Sequence, residues 1–268
     1  MPDKFFRKDL FCSVYFKGAD LIQFAVRIKN VPGTIAEVAD LLSSRGVNII
    51  HAFYTAFPSQ PEAFLGVFAD LRNLTVDPES LVKEIKKIDI VIDVRVSKPI
   101  IEGFIVDDIH FPLMVSGERS IVLKVKTLVD SFKRLREKFG SGADFILYEM
   151  GKAAGEERIK KMHEDYGLED QAALKLILAE RAAKGWGVPR IEKYDEEKKK
   201  ATIIVHELFE CLPFKDGGKE PRSQFFRGYL SGVFGFLFDG DVSVREVECI
   251  GKRDENCKFI CEVSSHPL

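Results

Sequence analysis

Apolar and polar positions alternate with two different periods along the first hundred residues. The run ADLIQFAVRIKN has the pattern of a strand, and after the break NVPG the residues Ile35, Val38 and Leu42 recur at helical spacing. Two β-rich runs follow, VNIIHAFYTAF and AFLGVFADL, then a helix that starts at Asp77 and the alternating run VIDVRVS. The order strand–helix–strand–strand–helix–strand predicts a ferredoxin-like βαββαβ domain over residues 19–98.

The middle of the chain is dominated by helical patterns. Residues 99–112 form a connector with weak periodicity, and helical spacing is clear over 127–139. It continues in a stretch that contains Gly151 and Gly155, and another helix is predicted near 170–184. Glycines four residues apart on a helix let the backbone of another element approach closely.

The last third of the chain predicts a sheet and one unusual helix. The strand-like runs VPRIEKYD and KATIIVHELFEC precede a segment, 223–238, that is apolar on nearly every side. Such a helix has to be buried all round, and Gly228, Gly232 and Gly235 leave room for its neighbours. The final stretch, VREVECIGKRDENCKFICE, predicts two strands that fold back at GKRDEN. The fold class is therefore α+β: the ferredoxin-like domain is followed, over 111–263, by a mixed α/β domain with a buried glycine-rich helix and an antiparallel sheet.

Composition narrows the classes of protein. Of the 268 residues, 46% are hydrophobic and 31% charged, with a net charge of −2. This balance is typical of a globular protein and argues against direct nucleic-acid binding, which needs clustered excess lysine and arginine. The longest apolar stretch is far shorter than the roughly 20 residues that cross a bilayer, so no membrane association is expected. No signal-peptide pattern is visible and the five cysteines are odd in number, so the expected location is the reducing cytoplasm.

The stretch IKNVPGTIAEVADLLSSRGVNIIHAF resembles an ACT domain, a small regulatory module that binds amino acids and similar effectors. The resemblance covers about residues 19–98. It rests on Pro32-Gly33 after the first strand, on the amphipathic helix, and on Gly46-Val47-Asn48-Ile49 at the start of the second strand. Many members have an acidic residue where this chain has Asn30. The resemblance implies a homodimer with an effector site at its interface. The implied site residues are Asn30, Pro32, Gly33, Thr34, Val47 and Asn48.

The chemistry of the same turn suits a carboxylate. Gly33 lets the backbone approach a ligand closely, and the free N–H groups of Thr34 and Ile35 begin a helix. A helix N-terminus carries a partial positive charge that attracts anions. The alternative is an ordinary strand-to-helix turn in which proline and glycine serve geometry alone.

Residues 111–263 resemble the 4-vinyl reductase-type domain, whose fold is shared with acyl-chain-holding subunits of trafficking complexes and with sensor domains of aromatic-responsive transcription activators. The segments that carry the resemblance are FGSGADFILYEMGKAAG, FFRGYLSGVFGFLFDG and REVECIGKRDENCKF. It implies a ligand-sensing domain that holds an apolar or aromatic small molecule in a helix-lined pocket. Phe226 is a candidate for the pocket wall, with Arg227 or His206 as a polar group. Plain core packing is the alternative for the phenylalanines.

Glu246, Cys249 and Cys257 repeat the Glu-x2-Cys-x7-Cys spacing of the zinc-binding sensor members of that family. Two thiolates and a carboxylate suit zinc better than calcium or magnesium, and a structural zinc has four ligands. Those members take the fourth ligand, a cysteine, from the start of the glycine-rich helix, where this chain has Ser223. The remaining candidates for the fourth ligand are Cys211, Cys261 and His206. The alternative is a set of buried cysteines that bind no metal.

Catalysis has little support in the sequence. The chain has no His-Glu-x-x-His motif, no Gly-x-Ser-x-Gly elbow and no dinucleotide fingerprint, so neither catalytic residues nor a nucleotide cofactor are expected. The prediction is a non-catalytic regulatory protein that senses small-molecule effectors. The alternatives are an enzyme or accessory subunit of tetrapyrrole or other cofactor biosynthesis, and a dimerisation scaffold.

Overall fold

A computed structural model of the chain describes residues 6–214 and 223–264. The chain divides into two compact units, residues 1–121 and 122–268. Residues 99–121, which the sequence pattern gives partly to a connector and partly to the second domain, thus group with the first unit.

The described part of the first unit contains the following strands and helices: β1 (Ser13–Tyr15), β2 (Leu21–Lys29), α1 (Thr34–Ser44), β3 (Asn48–Ala56), β4 (Glu62–Asp70), α2 (Pro78–Lys86), β5 (Val91–Ser97), β6 (Phe104–Val106), β7 (Met114–Val115) and β8 (Glu118–Arg119). Strands β2 to β5 form one antiparallel sheet in the order β3–β4–β2–β5. With α1 and α2 connecting its strands, this sheet has the predicted ferredoxin-like βαββαβ fold.

Alternation along β2 sends side chains to both faces of this sheet. On one face, Phe24 belongs to a core that includes Val38 of α1 and Leu81 of α2. On the other face, Leu21 packs with Ile105 of β6, and β6 pairs with β1 in a small sheet of its own. The sequence pattern misses β1 and β6 because three residues are too few to display an alternating period.

The described part of the second unit contains the following elements: α3 (Val125–Phe139), α4 (Ser141–Tyr166), α5 (Asp170–Ala183), β9 (Val188–Asp195), β10 (Lys200–His206), α6 (Gln224–Leu237), β11 (Val242–Glu248) and β12 (Cys257–Val263). Its strands form an antiparallel sheet in the order β11–β12–β10–β9. The predicted mixed α/β architecture with a glycine-rich helix, and so the α+β class, is confirmed.

Helices α4 and α6 meet backbone to backbone through their glycines. A Cβ atom at Gly155 would collide with the carbonyl oxygen of Tyr229, and one at Gly228 would collide with that of Tyr148. Gly151 and Gly232 are as tightly enclosed. The buried part of α6 includes every residue from 228 to 234, as its apolar pattern predicts. Within the described residues, no helix has both the length and the apolar character that a membrane crossing requires.

Strand β10 ends earlier than the sequence pattern predicts. The run KATIIVHELFEC continues to Cys211, but β10 stops at His206 because Glu207 has a φ of 53° and turns the chain away. A short 3-10 turn, Leu212–Phe214, follows. Cys211 therefore belongs to a turn and not to the strand.

Candidate functional site

Three cysteines and a glutamate meet where β10 and β11 end and β12 begins. They are Cys211, Glu246, Cys249 and Cys257, whose ligand atoms all lie within 4.8 Å of one another. The Sγ atoms of Cys211 and Cys249 are 3.5 Å apart, and all three thiols are fully buried. In a tetrahedral zinc site with Zn–S bonds of about 2.3 Å, sulfur atoms lie about 3.8 Å apart. These four groups, called the thiol cluster below, are close enough to share one metal ion.

A tight turn holds two members of the thiol cluster side by side. The backbone N–H of Cys249 donates to Asp254 Oδ2 at 2.7 Å, and the Cys249 carbonyl accepts from the N–H of Lys252 at 2.8 Å. Arg253 takes a left-handed conformation, with φ 75°, and the chain then enters β12 at Cys257. The x7 spacing between the two cysteines is therefore the length of this turn.

Glu246 is the member of the cluster whose hydrogen bonds are least complete. Ser223, the residue before α6, donates its hydroxyl to Glu246 Oε2. The other oxygen, Oε1, is buried and has no hydrogen-bond partner among the described residues. Burial raises the pKa of Glu246 to about 8, the Ser223 hydrogen bond lowers it, and the neighbouring Cys249 raises it further.

A metal ion would satisfy these groups together. Hydrogen bonds with Cys249 and Cys257, followed by burial, raise the pKa of Cys211, and the pKa of Cys257 is raised as well. A bound cation reverses that situation, because thiols that ligate a metal are deprotonated. It would also give Glu246 Oε1 the partner that it lacks. The donor set of three sulfurs and one carboxylate oxygen thus fits a metal of the thiolate-binding class.

Of the three candidates for the fourth ligand, the structure brings Cys211 to the cluster. Cys261 is fully buried on β12, paired with Ala201 of β10 and Val244 of β11, and His206 closes β10 beside Val188. Neither belongs to the cluster. The signal that distinguishes Cys211 is the turn at Glu207, which a single sequence does not reveal.

Sequence reasoning missed Glu210, a fully buried carboxylate beside the thiol cluster. It accepts the backbone N–H groups of Phe225 and Phe226, both at 3.1 Å, and so caps α6 in place of Ser223, whose hydroxyl is directed to Glu246. Arg136 Nη2 lies 3.5 Å from Glu210 Oε1. Burial raises the pKa of Glu210 to about 7, although the two N–H groups and Arg136 oppose the shift.

A groove of about 550 Å³ opens in the first unit at the turn between β2 and α1. It is lined by Tyr54 and by the successive residues Asn30, Val31, Pro32, Gly33, Thr34, Ile35 and Ala36. Four of the six predicted effector-site residues therefore lie together. Val47 is buried and Asn48 begins β3 with its side chain exposed, and neither lines the groove.

The groove has a backbone-rich floor. Gly33 takes a φ of 94°, and no side chain of the described residues caps the first turn of α1. Asn30 uses its amide group to hold the neighbouring loop, since Nδ2 donates to the carbonyl oxygens of Phe57 at 3.0 Å and Gln60 at 2.9 Å. What remains for a ligand is the helix N-terminus, with Ile35 and Tyr54 at the sides.

The thiol cluster lies within a segment that matches a known family model. Residues 203–263 match the 4-vinyl reductase (V-4-R) domain. This stretch, called the vinyl reductase segment below, includes most of β10 and all of α6, β11 and β12, and therefore all four members of the thiol cluster. The resemblance noted from the sequence is confirmed for this segment. The ACT resemblance of residues 19–98 stays a prediction.

Several solved structures are similar to parts of the chain. The phenol-responsive sensory domain of the transcription activator PoxR, solved with phenol, has a TM-score of 0.50 at 17% identity and covers 56% of this chain and 79% of its own. A vinyl-4-reductase family protein from Methanocaldococcus jannaschii has a TM-score of 0.33 at 21% identity, covering 54% and 99%. A trafficking protein particle complex subunit 3 from Naegleria fowleri, covalently bound to palmitic acid, has a TM-score of 0.38 at 13% identity, covering 53% and 96%. The likeness to the PoxR domain is one of fold. Among curated proteins, none matches this sequence.

The predicted ligand residues of the vinyl reductase segment lie in different surroundings. Phe226 is fully buried, with its ring against Tyr229 and Phe259. Arg227 is engaged by its own domain: Nε donates to the Val244 carbonyl at 3.0 Å, and Nη1 donates to Gln224 Oε1 at 3.0 Å. His206 keeps a buried Nε2 without a hydrogen-bond partner among the described residues. As ligand contacts, the three stay predictions.

Proposed function

We propose that this chain is a non-catalytic regulatory protein that senses small molecules. An amino-acid-type effector occupies the groove of the first unit, and an apolar ligand occupies the unit that contains the vinyl reductase segment. The observation that carries the proposal is the groove, where Asn30, Pro32, Gly33 and Thr34 line an open volume of about 550 Å³ at the start of α1.

The groove suits a small zwitterion with an apolar side chain. A carboxylate would bind the N–H groups at the start of α1, where the helix dipole favours negative charge. Ile35 is 45% exposed beside this position, and Tyr54 offers a further partly buried wall. A ligand of that kind is selected by its charged end and by the size of its apolar end.

A thermal-shift screen of the twenty amino acids tests the effector site. At least one should raise the melting temperature of the full chain in a dose-dependent manner, because a ligand that binds only the folded state stabilises it. Gly33→Ala should weaken that response at least tenfold in concentration, since a Cβ at φ 94° strains the turn on which the ligand rests.

Gly18→Ala is the matched control. Gly18 has a φ of 76° and, like Gly33, has no other atom within 4 Å of a Cβ at its position. Both substitutions should therefore cost similar backbone strain, but only the one at Gly33 touches the groove. A wild-type chain that responds to none of the amino acids, or equal responses in the two variants, would remove the effector site.

We further propose that the thiol cluster binds one zinc ion as a structural site. Cys211, Cys249, Cys257 and Glu246 would fill all four positions, so no place is left for a reacting water molecule. Such an ion adds its binding free energy to the stability of the folded state. It would join the ends of three strands to Ser223 at the start of α6, through Glu246.

Elemental analysis of protein purified without chelator should give about one zinc per chain, as a filled four-ligand site requires. Cys211→Ser and Cys249→Ser should both lose the metal. Cys261→Ser is the control, because Cys261 is equally buried but lies outside the cluster, so it should keep the zinc despite some loss of stability. A wild-type zinc content near zero would contradict the site.

A further inference from the structure

Arg181 on α5 is a buried cation whose charge is poorly matched by its surroundings. The residue is only 6% exposed, and its guanidinium lies over two aromatic rings, 4.6 Å from the centroid of Trp186 and 5.1 Å from that of Tyr229. Its Nε is buried and has no hydrogen-bond partner in the described part of the chain. Arginine stays charged at all physiological pH values, so this site holds a desolvated positive charge.

The acidic groups nearby are committed elsewhere or exposed. Glu180 accepts from Arg158 with both oxygens, from Nε at 2.8 Å and from Nη2. Arg181 Nη2 reaches the same carboxylate only at 3.5 Å. Glu157 also faces Tyr229, but it is exposed to solvent. Arg158 and Glu180 therefore form a bidentate pair, and Arg181 is left with one long contact.

A second unsatisfied donor lies against the same guanidinium. Tyr229 on α6 is fully buried, and its hydroxyl has no hydrogen-bond partner among residues 6–214 and 223–264. Burial raises the pKa of Tyr229 to about 12, so the group is a neutral O–H donor. A buried polar group left without a partner costs about 1–3 kcal/mol, and two such groups at one place are unusual in a folded protein.

We infer that Arg181 and the Tyr229 hydroxyl recognise the carboxylate of a small apolar acid in the second unit. This inference rests on the proposed function, since it names the chemical class of the apolar ligand. A carboxylate accepts a guanidinium fork and a phenol hydroxyl together, which matches the two donors present. Trp186, Phe209 and Phe225 surround these groups, and because Trp186 and Phe225 are only partly buried, the aromatic cluster reaches the surface. The apolar body of the ligand would lie on these rings.

Calorimetric titration of the full chain with benzoate tests the inference, with methyl benzoate as the uncharged probe of nearly the same shape. Benzoate should bind at least tenfold more tightly than the ester, because only the acid offers two acceptor oxygens with negative charge. Tyr229→Phe should weaken benzoate binding about tenfold or more, the usual effect of one hydrogen bond to a charged group. Arg181→Lys should also weaken it, since lysine keeps the charge but not the fork.

Tyr194→Phe is the matched control in the same unit. Tyr194 also has a buried hydroxyl without a partner in the described chain, but its ring packs on Phe238. It should bind benzoate as the wild type does. Equal benzoate affinity in wild type and Tyr229→Phe would overturn the inference, as would the absence of benzoate binding. If methyl benzoate or phenol binds and benzoate does not, the carboxylate assignment fails while the proposed apolar-ligand function survives. Failure of all three probes to bind would count against both.

Discussion

Asp107 illustrates how much one carboxylate organises at the scale of a residue. It follows β6 and accepts the backbone N–H groups of Ile109 at 3.3 Å and His110 at 3.1 Å, as well as His110 Nδ1 at 2.9 Å. Burial alone would raise the pKa of Asp107, but the His110 N–H, the amide of the buried Gln23 and the His110 ring outweigh it and hold the pKa below the ordinary value of 3.8. The segment after β6 thus depends on this carboxylate being charged.

The pH dependence of this group has a definite sign. Because the folded-state pKa lies below 3.8, the ionised carboxylate stabilises the fold above that pH, and the stabilisation is lost as pH falls through the lower folded-state value. Asp107→Asn should therefore lower the free energy of unfolding by about 1–3 kcal/mol at pH 7, and by progressively less below about pH 4. Urea unfolding of both proteins from pH 3 to pH 7 measures the difference. Asp108→Asn, at the exposed neighbouring position, should change little; a pH-independent deficit for Asp107→Asn would contradict the argument.

Among the elements, the contact of α4 with α6 is the one most dependent on side-chain absence. Gly155 sits against the Tyr229 carbonyl, whereas Gly142, at the start of the same helix, has no other atom within 4 Å of a Cβ at its position. Alanine favours a helix over glycine by about 0.5–1 kcal/mol, so the two positions separate propensity from packing.

Gly155→Ala should destabilise the protein by about 1–3 kcal/mol, because the added methyl forces two backbones apart. Gly142→Ala should be neutral or stabilising by up to about 1 kcal/mol. Chemical denaturation followed by far-ultraviolet circular dichroism gives both values. Equal effects in the two variants would mean that the helices do not meet as closely as described.

The elements also mark what a single sequence can and cannot reveal. The glycine spacing predicts the α4–α6 contact because a missing side chain has few other uses inside a helix. The helical and strand periods of residues 19–98 predict the sheet for the same local reason. The pairing of β1 with β6, the arrival of Cys211 beside Glu246, and the juxtaposition of Arg181 with Tyr229 are long-range contacts. No local period encodes them, so they appear only once the chain is folded.

At the scale of the whole molecule, the boundary between the two compact units falls in an exposed apolar stretch. Residues 121–124 lie between β8 and α3 outside any helix or strand, and Ile121, Val122 and Leu123 are 83%, 57% and 55% exposed. Thermolysin, which cleaves before large apolar residues, should therefore cut here first and leave two fragments. By contrast, β6 pairs with β1 and buries Ile105, so the first cut should not fall within 104–106. Mass spectrometry of the early products locates it.

The cleaved protein then tests where the predicted homodimer forms. In the first unit, β3 and β5 are the edges of the four-stranded sheet, and β3 also carries Ile49, which is 40% exposed. An edge strand with open backbone groups is a template for pairing with a second copy, and such pairing would bring Asn48 of β3 to the interface. Sedimentation of the separated fragments should give a dimer for residues before the cut and a monomer for the rest. Ile49→Lys in the uncut chain should shift the protein toward monomer, since a charge on an edge strand opposes pairing. A second fragment that stays dimeric, with a monomeric first one, would move the interface and leave Val47 and Asn48 without a role in effector binding.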